Sequence, residues 1–388
     1  MRRVLTLALT ILYTSLLWAV SGLSITQSTI GNGLESQSLN VLAKDRLGRL
    51  WVGSDVGISV ISNGTVTNIR EMVSGGGLVM LGNVNSIVCT ESVLIACEDR
   101  ILHYDPKDGF AETLKYEDRI LHTKSFLLEG DVVTFYDSDM RSLFTYDMNK
   151  LECRLMASFG GKQDYDFIKI LRTETESPVI FLADDNLGLY RFDRQTGTLE
   201  NVPGTDKPII AKATAIDRSN VIWLSVPSNG IKGYYINSNY EKVAEYNTRN
   251  CKILTDDISL IAPLPNGNLL ISQFDKGSCV IEREGINEGR TDVNVIDNLK
   301  NVTSTLINSD DKESLYATSG FGLISMRKTF IDEIHYIYEQ KDGIINFENY
   351  ISAFEEPEGT VLLGTSRNGL CRFNPQTQER QRLPEPMV

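Results

Sequence analysis

Between residues 40 and 58 the chain reads as a short apolar strand, an Asp-x-x-Gly turn set by Asp45 and Gly48, a second strand Leu50-Trp51-Val52-Gly53-Ser54, and a third strand launched from Gly57. The same phrase returns near the other end, where Ile351-Ser352-Ala353-Phe354 leads through Pro357-Glu358-Gly359 to Val361-Leu362-Leu363-Gly364-Thr365 and Asn368-Gly369-Leu370. Looser copies centre on Leu94, Val133, Phe181, Trp223, Leu270 and Tyr316. With Trp51 and Leu362 they make eight, spaced 43, 39, 48, 42, 47, 46 and 46 residues apart. A steady period in this range, with strands inside each unit, is the mark of stacked blades, because no single unit can bury its own apolar faces. The pattern predicts an all-β chain, a β-propeller of seven or eight four-stranded antiparallel blades.

In the first unit, strands are expected at 39–44, 49–54, 57–62 and 65–70, the last two joined by Asn63-Gly64, a strong hairpin signal. The second strand of each unit is continuously apolar, as in Val179-Ile180-Phe181-Leu182, which fits a sheet covered on both faces. Gly53, Ala96, Ala183, Ser225, Ser272 and Gly364 recur at one place where a larger side chain would obstruct stacking. The third strands Ile101–Asp105, 143–147, 189–193 and 370–374 each end in Asp or Asn, whose side chains are expected to bond the following backbone and fix the turn. Trp51 and Trp223 sit in strand interiors and read as blade packing.

The N-terminus is Met1-Arg2-Arg3 followed by an apolar stretch that closes on Ala19-Val20-Ser21, the layout of a secretory leader over 1–21, with 22–388 as the propeller. An uncleaved anchor is the alternative reading of that stretch. Loss of Arg2 and Arg3 leaves 36 basic residues against 51 acidic, a net charge of about −15 that makes nucleic acid and anionic membranes poor partners. No later run is apolar enough to span a bilayer, so the expected location is the periplasm. Of the six cysteines, Cys89 and Cys97 flank a turn at 90–92 in a register that keeps them apart, while Cys251 and Cys279 stay open as a pair.

Two closures fit the sequence. Residues 23–29 look like an outer strand without a blade of its own, able to complete the last blade as a clasp in a ring of eight. Alternatively seven blades close and 331–388 begins a second propeller, since Tyr338–Ile344 echoes Gln27–Leu34. Links between units at 71–83, 157–166 and 283–302 are long, and with the turns between second and third strands they are the expected ligand face.

The motif from Asp45 to Ile58, preceded by Gly31-Asn32-Gly33-Leu34, resembles the two-component-regulator propeller repeat, most closely in the first and last units. That repeat builds the periplasmic sensor region of hybrid two-component sensor histidine kinases of Bacteroidetes. The resemblance implies a non-enzymatic sensor region that binds an oligosaccharide or other nutrient and pairs as a homodimer. The kinase would reside in a cytoplasmic part outside this sequence. Sugar recognition asks for aromatic faces and fixed polar groups; on the expected face these are Tyr165, Asp185, Asp275, Lys276, Phe321 and Arg367.

Catalytic and metal chemistry find no motif. His103, His122 and His335 lie in different repeats, no G-x-S-x-G elbow or Walker loop occurs, and Ser74-Gly75-Gly76-Gly77 reads as a link. Neighbouring carboxylates such as Asp184-Asp185 should point apart, not across a cleft. No cofactor is expected. Two rivals stay open: an exported interaction scaffold, because Leu189–Gly197 is similar to the propeller of the outer-membrane assembly machinery, and a carbohydrate-active propeller enzyme.

Overall fold

The computed structural model describes residues 20–383 except 162, 174–176, 283–285, 287–292, 297–298, 308–312, 332–337, 342–343, 348–349, 357–358, 366–368, 375–376 and 378. The chain divides into two compact units, the larger being Leu23–Lys328 and the smaller built on Thr329–Val388.

Among the described residues seven sheets of four or more strands follow one another through the larger unit, six of four strands and one of six. Their first strands are Leu39–Lys44, Val84–Cys89, Phe126–Glu129, Phe167–Leu171, Thr214–Ile216, Ile258–Pro263 and Val302–Ile307. Their second strands are Leu50–Ser54, Val93–Cys97, Val132–Asp137, Val179–Asp184, Val221–Ser225, Leu269–Gln273 and Glu313–Thr318. Every repeat centre read from the sequence falls in a second strand, the eighth in Val361–Thr365 of the smaller unit. In sheet 1 all four strands lie within one residue of expectation.

The interior of this unit is a series of apolar layers, each between consecutive sheets. Trp51 and Ile58 of sheet 1 meet Val84 and Ile95 of sheet 2. Leu94 and Ile101 meet Phe135 and Phe144 of sheet 3, and Tyr136 and Leu143 meet Ile180 and Phe192 of sheet 4. The series continues through sheets 5 and 6 to sheet 7, where Leu260 and Leu270 meet Tyr316 and Ile324. The last layer joins Ala317 and Leu323 of sheet 7 to Leu42 and Val52 of sheet 1. Second strands therefore lie between two layers and are buried almost end to end, which is why they read as unbroken apolar runs.

Five of the first strands slip register near their start, at Leu39/Val41, Val84/Ser86, Phe167/Lys169, Ile258/Leu260 and Val302/Ser304. Beyond each slip the partner is a small residue: Gly53, Ala96, Ala183, Ser272 and Ala317. A Cβ on Gly53 would come within 2.6 Å of Val41 and 2.8 Å of Val84 in the next sheet. The extra residue of the bulge reaches the neighbouring sheet: Asn40 Nδ2 donates to the Val84 carbonyl (3.1 Å), Ser259 Oγ to that of Val302 (3.4 Å), and Thr303 Oγ1 to that of Leu39 (2.7 Å).

The strand Val20–Ser28 lies beside Gly322–Ile331 as the fourth strand of sheet 7, and Gln27 Nε2 donates to the Phe321 carbonyl at 2.7 Å. The outer strand anticipated at 23–29 thus completes the seventh sheet, and its first two residues, Val20 and Ser21, fall inside the stretch read as a leader. The eighth repeat lies in the smaller unit, as the hairpin Tyr338–Lys341 with Ile344–Phe347 and the sheet Tyr350–Glu355, Val361–Thr365, Leu370–Phe373, Arg380–Arg382.

The long links need correction. Residues 71–83 contain the hairpin Glu71–Ser74 with Gly77–Met80, which runs on from the outer edge of sheet 2, parallel to Phe110–Thr113. Its turn is the Ser74-to-Gly77 stretch. Ala157 and Ser158 finish the strand Glu152–Ser158, Asn294–Ile296 is the outer strand of sheet 6, and Lys115–Tyr116 with Arg119–Ile120 form a further short hairpin. Cys89 and Cys97 pair with Val93 and Val84 across their strands, and all six cysteines are free thiols, including Cys251 and Cys279.

Candidate functional site

Turns do most of the fixing. Asp45 Oδ1 accepts from Leu47 N (3.0 Å) and Arg49 N (2.9 Å), and its Oδ2 accepts from Trp51 Nε1 at 3.0 Å. Asp217 repeats the arrangement with Ser219 N, Val221 N and Trp223 Nε1 at 2.8, 3.1 and 3.0 Å. The two tryptophans, 2% and 0% exposed, pack in the layers between sheets and are held by the turn before them. The third-strand acids act as expected: Asp105, Asp147, Asp193 and Asn374 each accept from backbone N–H groups two or three residues on.

Because strands alternate in direction, the turn after each second strand and the link into each first strand share one end of the sheets. Tyr165 lies in the link before sheet 4, Asp185 in the sheet 4 turn, Asp275 and Lys276 in the sheet 6 turn, and Phe321 in the sheet 7 turn. Arg367 lies outside the described residues.

Their surroundings differ. Tyr165 is half-buried, stacked on Phe167 with centroids 5.1 Å apart and edge-on to Tyr190 at 5.3 Å. Asp185 Oδ1 accepts from Ala211 N at 2.7 Å, ahead of sheet 5. Asp275 has positive φ, and its N–H goes to Asn301 Oδ1 at 2.6 Å. Phe321 is 37% exposed, and Phe274, which sequence reasoning passed over, is 66% exposed beside Asp275. A single exposed Phe in a polar turn carries no periodic signal that would have marked it.

His122 anchors a second polar cluster, one that no sequence motif marks. His122 Nε2 lies 3.1 Å from Ser138 Oγ and its Nδ1 3.4 Å from Asp137 Oδ2. Asp137 is fully buried and also accepts from His122 N (2.9 Å) and Met140 N (2.8 Å), so this carboxylate secures a turn. Among the described residues no three His, Cys, Asp or Glu side chains converge on a metal position.

The first strands of sheets 1, 2, 4, 5, 6 and 7, with Lys124 and Ser125 at the start of sheet 3, line one cavity of about 480 Å³. That volume is in the range of small-ligand sites. At the link end it carries Asn85, Ser86, Lys124, Lys169, Lys212 and Ser304; towards the other end it is lined by Leu171, Ile216, Ala262 and Pro263. Lys169 Nζ donates to the carbonyls of Lys212 (2.9 Å) and Thr214 (2.7 Å), and burial pushes its pKa down to about 8.

No family model and no curated protein matches the chain. Solved structures do. One is the extracellular domain of BT3049 from B. thetaiotaomicron, described as a hybrid two-component system: TM-score 0.60, 13% identity, covering 94% of this chain and 55% of that one. Two are of the extracellular domain of BT4673 from the same organism, described once as a one-component and once as a hybrid two-component system, with TM-scores of 0.55 and 0.57 at 16% and 15% identity. They cover 91% and 94% of this chain and 47% and 48% of theirs, so the chain spans about half the length of the structures it matches. At this identity the likeness is one of fold.

Proposed function

We propose that the seven sheets close into a seven-bladed propeller and that this chain is the ligand-receiving region of an exported two-component sensor, with 329–388 opening a second propeller. The observation that carries the sensor reading is the shared fold, over 94% of the chain, with an extracellular domain described as part of a hybrid two-component system. Closure is supported by the layer between sheets 7 and 1 and by the clasp strand Val20–Ser28.

On this reading residues 1–21 direct export to the periplasm and the chain does no chemistry of its own. Its ligand is an oligosaccharide or similar nutrient that contacts the link end, where the exposed rings of Phe274 and Phe321 offer stacking faces and Asp275 and Lys276 offer polar groups. Arg367, in the smaller unit and outside the described residues, stays a separate expectation of the sequence. A ligand drives signalling only by preferring one arrangement of a sensor homodimer over another.

The test is a thermal-shift screen of plant and host oligosaccharides on the purified chain and on Phe274→Ala and Phe321→Ala. A sugar that raises the wild-type midpoint and loses that effect in either variant supports the reading. Release of reducing sugar would replace it with an enzyme. The scaffold alternative draws on one observation, the outward apolar face of the added hairpin, where Val73, Leu78 and Met80 are 53%, 64% and 62% exposed. Retention of a protein partner without any sugar would favour it.

A further inference from the structure

We infer that the cavity between the first strands is a binding site for a sugar acid, a carboxylate-bearing ring whose anionic group meets the lysines at the link end.

Charge comes first. In a chain of formal net charge −13, the cavity lining holds Lys124, Lys169 and Lys212 and not one Asp or Glu among the described residues. Lys124 is paired, its ammonium 2.6 Å from Asp166 Oδ2, and Asp185 accepts from Ala211 N beside Lys212, both carboxylates lying outside the lining. Lys212 is exposed, without a side-chain partner among the described residues, while its own carbonyl holds Lys169 in place. Lys169 and Lys212 thus come from adjacent sheets to line one cavity whose described lining holds no carboxylate.

Of the remaining polar groups at that end Asn40, Ser259 and Thr303 already donate to carbonyls, while Ser86, Ser304 and Asn85 keep hydrogen to spare. Ser86 Oγ accepts from Phe126 N (3.3 Å) and Ser304 Oγ from Leu42 N (3.2 Å), so each hydroxyl keeps its O–H for another acceptor. Asn85 Oδ1 accepts from Asn83 (3.1 Å), which leaves its amide N–H₂ to donate. A lining of donors and ammonium groups favours a ligand rich in acceptors and penalises a cation. The apolar far end, with Leu171, Ile216 and Ala262, suits the C–H face of a sugar ring. Lysine provides a point charge with no fixed fork, so an anionic group that meets it can also accept from the hydroxyls beside it.

The inference is independent of signalling, since a ring that binds a sugar acid need not be coupled to a kinase. Isothermal titration of the full chain with D-galacturonate, D-galactose and inorganic sulfate tests it, with Lys212→Gln as the principal variant because that side chain is exposed and its removal leaves the Lys169 contacts standing. The expected result is saturable binding of galacturonate, at least ten-fold weaker binding of galactose, at least ten-fold loss in Lys212→Gln, and weakening as salt is raised from 50 to 500 mM. Equal affinity for galactose and galacturonate, or an unchanged Lys212→Gln, would overturn it. Sulfate binding as tightly as galacturonate would overturn the sugar acid in favour of a bare anion. Lys169→Met adds a check: loss of galacturonate binding with an unchanged unfolding midpoint supports the site, and retained binding counts against it.

Discussion

Asp217 spends one carboxylate on three donors, two from its own turn and one from the indole of Trp223 in the adjoining strand. Removing it leaves a buried indole N–H unpaired and two turn amides to find water, so Asp217→Ala should cost about 3 kcal/mol, read as a lowered urea midpoint. The equivalent Asp45 titrates: burial raises its pKa, but hydrogen bonds from Trp51 and Arg49 outweigh burial and hold it below the usual carboxylate value. Its contribution to stability is therefore full above the unfolded carboxyl pKa and lost as pH falls through the folded one. The thiols run the opposite way. Burial first of all pushes Cys89 and Cys97 up to about 12, so folded protein at pH 8 should leave both unmodified by an aromatic disulfide reagent while denatured protein reacts at all six sites. Protonated burial of these two thiols favours the fold below about pH 9, an advantage lost as pH rises towards 12.

Strands and turns differ in how far they can be read from the chain. The second strands were legible because layers on both sides make every position apolar, and the Asp-ended third strands because a carboxylate at a turn has one local use. The hairpin Glu71–Ser74 with Gly77–Met80 was missed because three glycines dominate its composition. Its alternation, Met72 and Val79 inward against Val73, Leu78 and Met80 outward, is short and covers only one face. Site residues were less legible still. Tyr165 joins an aromatic cluster whose members come from three strands, and Lys169 reads as a lone charge in an apolar strand until the bulge at Phe167/Lys169 sets its direction. At this scale the clasp makes a sharp prediction. Deleting residues 20–28 bares the edge of Gly322–Ile331 and removes the Gln27 bond, so it should lower the unfolding free energy of the larger unit by several times the roughly 1 kcal/mol of one hydrogen bond, and promote association through the open edge.

For the whole chain, two compact units imply two transitions. Residues 20–331 expressed alone should unfold in one cooperative step at the midpoint that the larger unit shows in the full chain, measured by calorimetry. A midpoint lower by more than a few degrees would mean that the larger unit depends on 332–388. The clasp also orders events in time. Gln27 and Phe321 are 294 residues apart in sequence yet joined by a hydrogen bond, so the clasp strand waits for its partner until nearly all of the larger unit has been made. Closing so long a loop has an entropic cost set before any contact of the seventh sheet offsets it, and pairings this distant in sequence slow folding. Until that moment Val20–Ser28 and the edge of Gly322–Ile331 that it covers are both unpaired, and each is open to pairing with another chain.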